Sequence, residues 1–188
     1  MELPFIEYEE SEYYETDTGN KVSKSANILG SHNILLAGKT IIQESCMIRG
    51  DLRREGAQNN TSFIIGRYCL FAKNTLFKPP YKIFKGLFSY FPMKIGDYVH
   101  VDENSIVEAA SIGNCVRIGK NCVIGRFAII KDGVVIKDDT VIPPNTVIPS
   151  FTLVSGCPPK QVIEPLSENV PENLESKAKS YYMKFIPK

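Results

Sequence analysis

Two histidines, five cysteines and a pair of closely spaced glutamates hold most of the chemistry open to this 188-residue chain. His100 follows Asp97 and precedes Asp102, and an imidazole beside a carboxylate is the arrangement of a general base. The same residue on a polar corner would simply be solvated, and that is the expected reading. His32, between Ser31 and Asn33, reads as a turn residue. Glu103 and Glu108 are five residues apart. If folding brings them together they can share a proton or hold a cation, and otherwise they are two solvated carboxylates. Arg49 and Asp51 read as an internal ion pair bracing neighbouring segments, an arrangement that contributes little where water reaches it.

What must position these residues is an unusual periodicity. Aliphatic residues fall at Ile95, Val101, Val107, Ile112, Ile118, Ile124, Ile130, Ile136, Ile142, Ile148 and Val154, every step six except the five from Val107 to Ile112. Amphipathic helices repeat at three and four, and half-buried strands at two. A sustained six marks a hexapeptide repeat, in which three short strands and three turns make one turn of a triangular coil. Each large aliphatic points inward and stacks on its copies. Four places later a small side chain fills the narrow corner: Val99, Ser105, Ser111, Val116, Cys122, Ala128, Val134, Thr140, Thr146 and Thr152 hold that place. Asn104, Asn121, Gly133 and Asn145 fall where a turn needs positive φ.

The same beat begins earlier, at Leu36, Ile42 and Ile48 and again at Ile65, Phe71 and Phe77, which puts Cys46 and Cys69 on inward small positions. Buried thiols of this kind suit a reducing compartment better than a disulfide framework. Two segments break the repeat. One is a polar loop at 52–63. The other, an irregular loop at 78–94, carries Pro79, Pro80 and Pro92 with Phe84, Leu87, Phe88, Tyr90 and Phe91. Those rings either anchor a partner or fold back onto their own coil. The expected organisation is an N-terminal extension at 1–20, an all-β parallel helix at 21–160, and a C-terminal helical segment at 161–188. Its helix, about Glu172 to Phe185, packs on a flank of the coil.

Composition narrows the class further. With 43% apolar residues and a formal net charge of +1, the chain can bury a sizeable core but offers no overall electrostatic footprint for nucleic acid or an anionic membrane. No apolar run reaches the length of a membrane span, and the acidic start MELPFIEYEESEYYE lacks the basic and apolar pattern of a leader. A cytosolic protein without direct membrane insertion is the expectation.

The stretch around Arg49-Gly50-Asp51, the run from Ile95 to Gly113 and the closing Gly156-Cys157-Pro158 resemble the gamma-class carbonic anhydrases. That superfamily holds zinc with three histidines. Aligned on its pattern, the ligand positions fall at Lys78, Glu103 and Glu108. An ammonium cannot ligate zinc, and two carboxylates without imidazole make a poor zinc site. The resemblance therefore implies no metal, no cofactor and no hydrolytic centre, and it assigns Arg49 and Asp51 to subunit contacts. A closer resemblance runs from about Ser11 to Pro187 through SEYYETDTGNKVSK, CMIRGDL, KPPYK, VEAASIGNCVRIGKNCVIGR, VIPPNTVIPSFTLVSGCP and KSYYMKFIP, and it is to the dynactin subunit 5 family. It implies a left-handed coil and a noncatalytic subunit of the pointed-end complex of dynactin, the activator of the microtubule motor dynein. The neighbours so implied are dynactin subunit 6, dynactin subunit 4, the pointed-end actin-related protein and cargo adaptors, on the cytoskeleton in the cytoplasm. A degenerate anhydrase-like or hexapeptide acyltransferase enzyme is the alternative, and a cation-binding coil using Glu103 and Glu108 the third reading.

Overall fold

Three repeats bring the chain back to the same wall, so Ile118 lies beside Ile136, and Ile136 beside Val154. The computed structural model, which describes residues 5–53, 60–158 and 162–188, is a parallel β-helix with three sheet walls. Half of the polar loop expected at 52–63, residues 54–59, lies outside the described residues. Wall one runs from Lys21–Ser23 through Ile41–Ile42, Leu70–Phe71, His100–Val101, Arg117–Ile118 and Val135–Ile136 to Thr152–Ser155. Antiparallel strands close its two ends, Tyr13–Glu15 on the first and Val162–Pro165 on the last. Wall two starts at Asn27–Leu29 and ends at Val141–Ile142, and wall three starts at Ile34–Gly38 and ends at Val147–Ile148.

The inward aliphatics form one continuous core. From Ile42 and Ile48 through Val154 the residues of the six-beat are buried, and Phe71 packs on Phe77 at 4.3 Å between ring centroids. Cys46, Cys69 and Cys122 occupy inward corner sites as the spacing predicts. Burial pushes the thiols of Cys46 and Cys69 up to about 12, so none of these sulfurs is a ready nucleophile.

Corners recur with the repeat. Cys115, Asn121, Phe127, Gly133, Asp139, Asn145 and Phe151, each six after the last, all have positive φ. The five-residue step breaks this series, because the next left-handed residue after Asn104 is Cys115. At that corner Ala109, not Ser111, fills the core, and Ser111 is only half-buried at the start of strand Ser111–Ile112. Deleting one residue shifts the phase of everything between the two flanking aliphatics, which is why the four-place rule fails there.

The glycines that follow the aliphatics serve a different need. The backbone N–H of Arg67 donates to Asp97 Oδ1, that of Asp97 to Asn114 Oδ1, and that of Asn114 to Asp132 Oδ1, at 2.7, 2.8 and 2.7 Å. This ladder of side-chain caps climbs one edge of the prism. It fits only because Gly66, Gly96 and Gly113 have no Cβ: an added carbon at Gly113 would fall on Asp132 Oδ1 and within 2.8 Å of Asp132 N. Gly113→Ala is therefore expected to cost about 1–3 kcal/mol. In a double-mutant cycle monitored by thermal melting, adding Asp132→Ala should recover part of that loss, and strict additivity would count against the clash.

Candidate functional site

His100 lies on the outer face of wall one rather than at a corner. Its Nε2 is 3.0 Å from Asp102 Oδ1, while Arg117 Nη2 donates to Asp102 Oδ2 at 3.1 Å. Tyr181 of the C-terminal helix sits edge-on to the imidazole at 6.0 Å. Burial works to raise the Asp102 carboxyl, but the hydrogen bond and charge of His100 and the Arg117 guanidinium outweigh it and hold the group below the usual carboxylate range. Both candidates for acid or base chemistry here are thus committed to a bridge between successive coils under a helix.

The sign of that shift gives a test. A depressed folded pKa means that Asp102 contributes stability above its ordinary value near 3.8, and that this is lost as pH falls through the folded value. Asp102→Asn should therefore lower the melting temperature clearly at about pH 6 and much less at about pH 3. An equal deficit at both would mean the ionised carboxylate is not what matters.

Helix Val170–Lys184 and the strand after it, Phe185–Pro187, clamp the flank. Tyr181 accepts from Gln43 Nε2 at 3.1 Å, and Tyr182 Oη donates to the Gly19 carbonyl at 2.7 Å. Phe185–Pro187 pairs with Ile6–Tyr8, and Lys21 reaches the Phe185 carbonyl beneath the rings of Tyr8, Tyr182 and Phe185. The helix was legible in the sequence, but its strand partner was not, because a parallel pair joining the two chain ends has no local signal.

Glu103 and Glu108 do not meet as a shared site. Glu103 stands at the corner between walls one and two and pairs with Lys120 at 3.3 Å, while Glu108 lies at the next corner, past strand Ile106–Val107. Lys78 shares the corner of Glu108 on the neighbouring coil, since Phe77 pairs with Val107. Among the described residues no cluster of three His, Cys, Asp or Glu side chains could hold a metal ion. Arg49 and Asp51 form a two-pronged pair with each other, Nε to Oδ1 and Nη2 to Oδ2, both at 2.9 Å. The pair is exposed and joins residues of one coil instead of bracing two. At the corner between walls one and two, Lys73 binds Glu44 and Lys120 binds Glu103, an alternation of charge from coil to coil that spacing within one repeat does not reveal.

The corner between walls two and three is where the chain departs from the repeat. The 3-10 turn Ser31–Asn33, the segment after Arg49, the aromatic segment 78–94 and the shortened corner after Val107 all leave from it. The aromatic segment is not an irregular loop: Tyr81–Phe84 and Leu87–Tyr90 form an antiparallel hairpin through Lys85 and Gly86, both of positive φ. Its base is fixed to the coil. Arg126 stacks over Tyr81 at 4.4 Å, Lys82 over Phe127 at 4.4 Å, and Phe91 meets Phe127 edge-on at 5.5 Å. Tyr90 is half-buried against Tyr81 and Phe88, whereas Ile83, Phe84, Leu87 and Phe88 are exposed.

Comparison with known proteins bears on the coil. The family described as Dynactin subunit 5 matches residues 1–188. A dynactin subunit 5 of Dictyostelium discoideum is 47% identical over 107 residues, 57% of this chain and 50% of that protein. The aligned stretch thus spans half the length of that relative. Among solved structures, a hexapeptide transferase family protein of Anaplasma phagocytophilum superposes with a TM-score of 0.62 at 17% identity, covering 90% of this chain and 92% of that one. AntD, an N-acyltransferase of Bacillus cereus, gives 0.63 at 14% identity, with 84% and 85% covered. At such identities the likeness shows the fold alone, the left-handed β-helix of hexapeptide repeats.

Proposed function

The chain belongs to the dynactin subunit 5 family, a family of structural subunits and not of enzymes, and from that membership we propose that it is a noncatalytic scaffold of the dynactin pointed-end complex. In this reading it supports dynein-driven transport along microtubules by engaging cargo adaptors, in the cytoplasm on the cytoskeleton. Its neighbours are dynactin subunit 6, dynactin subunit 4 and the pointed-end actin-related protein. The observation that carries the proposal is the family match along residues 1–188.

Two features of the coil support a binding role. At the first coil, strands Asn27–Leu29 and Ile34–Gly38 are paired on one side only, and the inward residues Val22, Ala26, Ile28, Ile34 and Leu36 are only partly buried. At the last coil Ile142, Ile148 and Val154 are fully buried. An open edge over an unfinished core invites a cover, and the end of a second hexapeptide coil has matching strands. The second feature is the corner that carries Arg49, Asp51, Phe84, Leu87, Phe88, Tyr90 and Phe91, our candidate partner surface.

Co-expression with dynactin subunit 6, dynactin subunit 4 and the pointed-end actin-related protein, followed by size-exclusion chromatography, tests the proposal. Stable co-elution is expected. A homo-oligomer that ignores all three and turns over an acyl-coenzyme A would overturn it.

A further inference from the structure

We propose that the hairpin Tyr81–Tyr90 is an insertion arm that enters a cleft in a neighbouring protein, a cleft with apolar walls on both sides and carboxylates at its floor. This rests on the scaffold reading and adds how one partner is held. In the antiparallel register Phe84 pairs with Leu87 and Ile83 with Phe88. Because side chains alternate along a strand, Phe84 and Leu87 share one face and Ile83 and Phe88 the other. All four are exposed, at 71%, 75%, 68% and 51%. A flat partner would cover one face and leave the other in water, so burying both requires walls on both sides.

The arm is stiff enough to insert. An isolated two-stranded hairpin is marginal in water, but this one is held at its base. Tyr81 lies between Phe88, stacked at 5.0 Å, and the Arg126 guanidinium, and Lys82 is fixed over Phe127. Two consecutive left-handed residues, Lys85 at φ 48° and Gly86 at 76°, make the tight turn that matches strand twist. Pre-organisation of this kind lowers the ordering cost of docking.

Charge identifies the occupant of the other side. Residues 78–94 contain Lys78, Lys82, Lys85 and Lys94 and no acidic residue. Lys85 is in the turn itself and would enter first. A bilayer would have to take that ammonium deepest, which is costly, whereas a protein cleft can meet it with carboxylates. A protein partner is therefore favoured over a lipid surface.

The test uses full-length chain carrying Lys85→Glu, Phe84→Ser or Phe88→Ser, each assayed for binding to the three co-subunits separately and to phosphatidylcholine–phosphatidylserine vesicles, with melting temperatures in parallel. Each variant is expected to weaken binding to one and the same co-subunit at least about tenfold with its melting temperature unchanged. Undiminished binding by Lys85→Glu overturns the acidic floor, and loss confined to one ring overturns the two-walled cleft. A fall in melting temperature alongside binding would make the rings core, and variant-sensitive vesicle binding would make the surface a lipid one; either sinks the proposal. If wild type binds a co-subunit and all variants bind equally, the arm fails and the scaffold reading stands. If wild type binds none, the scaffold reading itself fails.

Discussion

Replacing Ile118 by Asp is expected to abolish folding of the coil rather than lower its stability by an increment. Ile118 is fully buried and lies in register between Val101 and Ile136. Losing a buried isoleucine forfeits about 1.5–3 kcal/mol, and forcing a carboxylate into the same dry site adds several more. The sum reaches the ~5 kcal/mol at the lower end of domain stability. Damage also spreads, because each coil is stabilised chiefly by its neighbours, and Ile118 touches two of them. Circular dichroism should show loss of the β signal. Ile118→Val, by contrast, should melt cooperatively with a deficit of about 0.5–1.5 kcal/mol. Should Ile118→Asp melt within a few degrees of wild type, the inward assignment is wrong.

Ile118 was legible because the coil poses the same packing problem at every sixth residue, so the answer repeats in the sequence. Where that demand is interrupted, legibility ends. The phase shift across Val107–Ile112 moved the core position from Ser111 to Ala109, and no residue type there announces it. Turn chemistry was half readable: Asn104, Asn121, Gly133 and Asn145 obey the usual preference, but Tyr98 and Phe127 are also left-handed. A non-glycine residue in that conformation costs about 1–2 kcal/mol. Aromatic contacts offset it, for Tyr98 stacks on Tyr68 and Phe127 is gripped by Phe91 and Lys82. Such compensation comes from distant segments, which a local rule cannot see. The hairpin was hidden differently. Lys85-Gly86 between two aromatic runs is a hairpin signal, but the flanking prolines read more strongly as an irregular loop. As for the candidate site, spacing supplied Glu103 and Glu108 but not their separation onto two corners, since neighbours in sequence diverge at each turn of a triangle.

Phe185→Ala carries the second large effect, and its interest lies in where the damage should stop. Phe185 is 2% exposed, stacks on Tyr8 at 4.5 Å and meets Tyr13 edge-on at 5.4 Å, in a cluster with Ile41 and Leu70 that is separate from the inner core. Truncating a buried phenylalanine costs about 3–5 kcal/mol. Part of this is offset, because burial under these rings lowers the pKa of Lys21, and admitting water relieves that penalty on its charged form. The cluster lies on the outside of wall one, where it fastens Ile6–Tyr8, Phe185–Pro187 and helix Val170–Lys184. Hydrogen exchange should accordingly accelerate in those three segments while the amides of Arg117–Ile118 and Val135–Ile136 stay protected, a sub-global opening rather than unfolding. Uniform acceleration along the prism would mean instead that the clamp and the coil form one cooperative unit. In that case the bridge through His100, Asp102 and Arg117, which lies under the same helix, would transmit the loss inward.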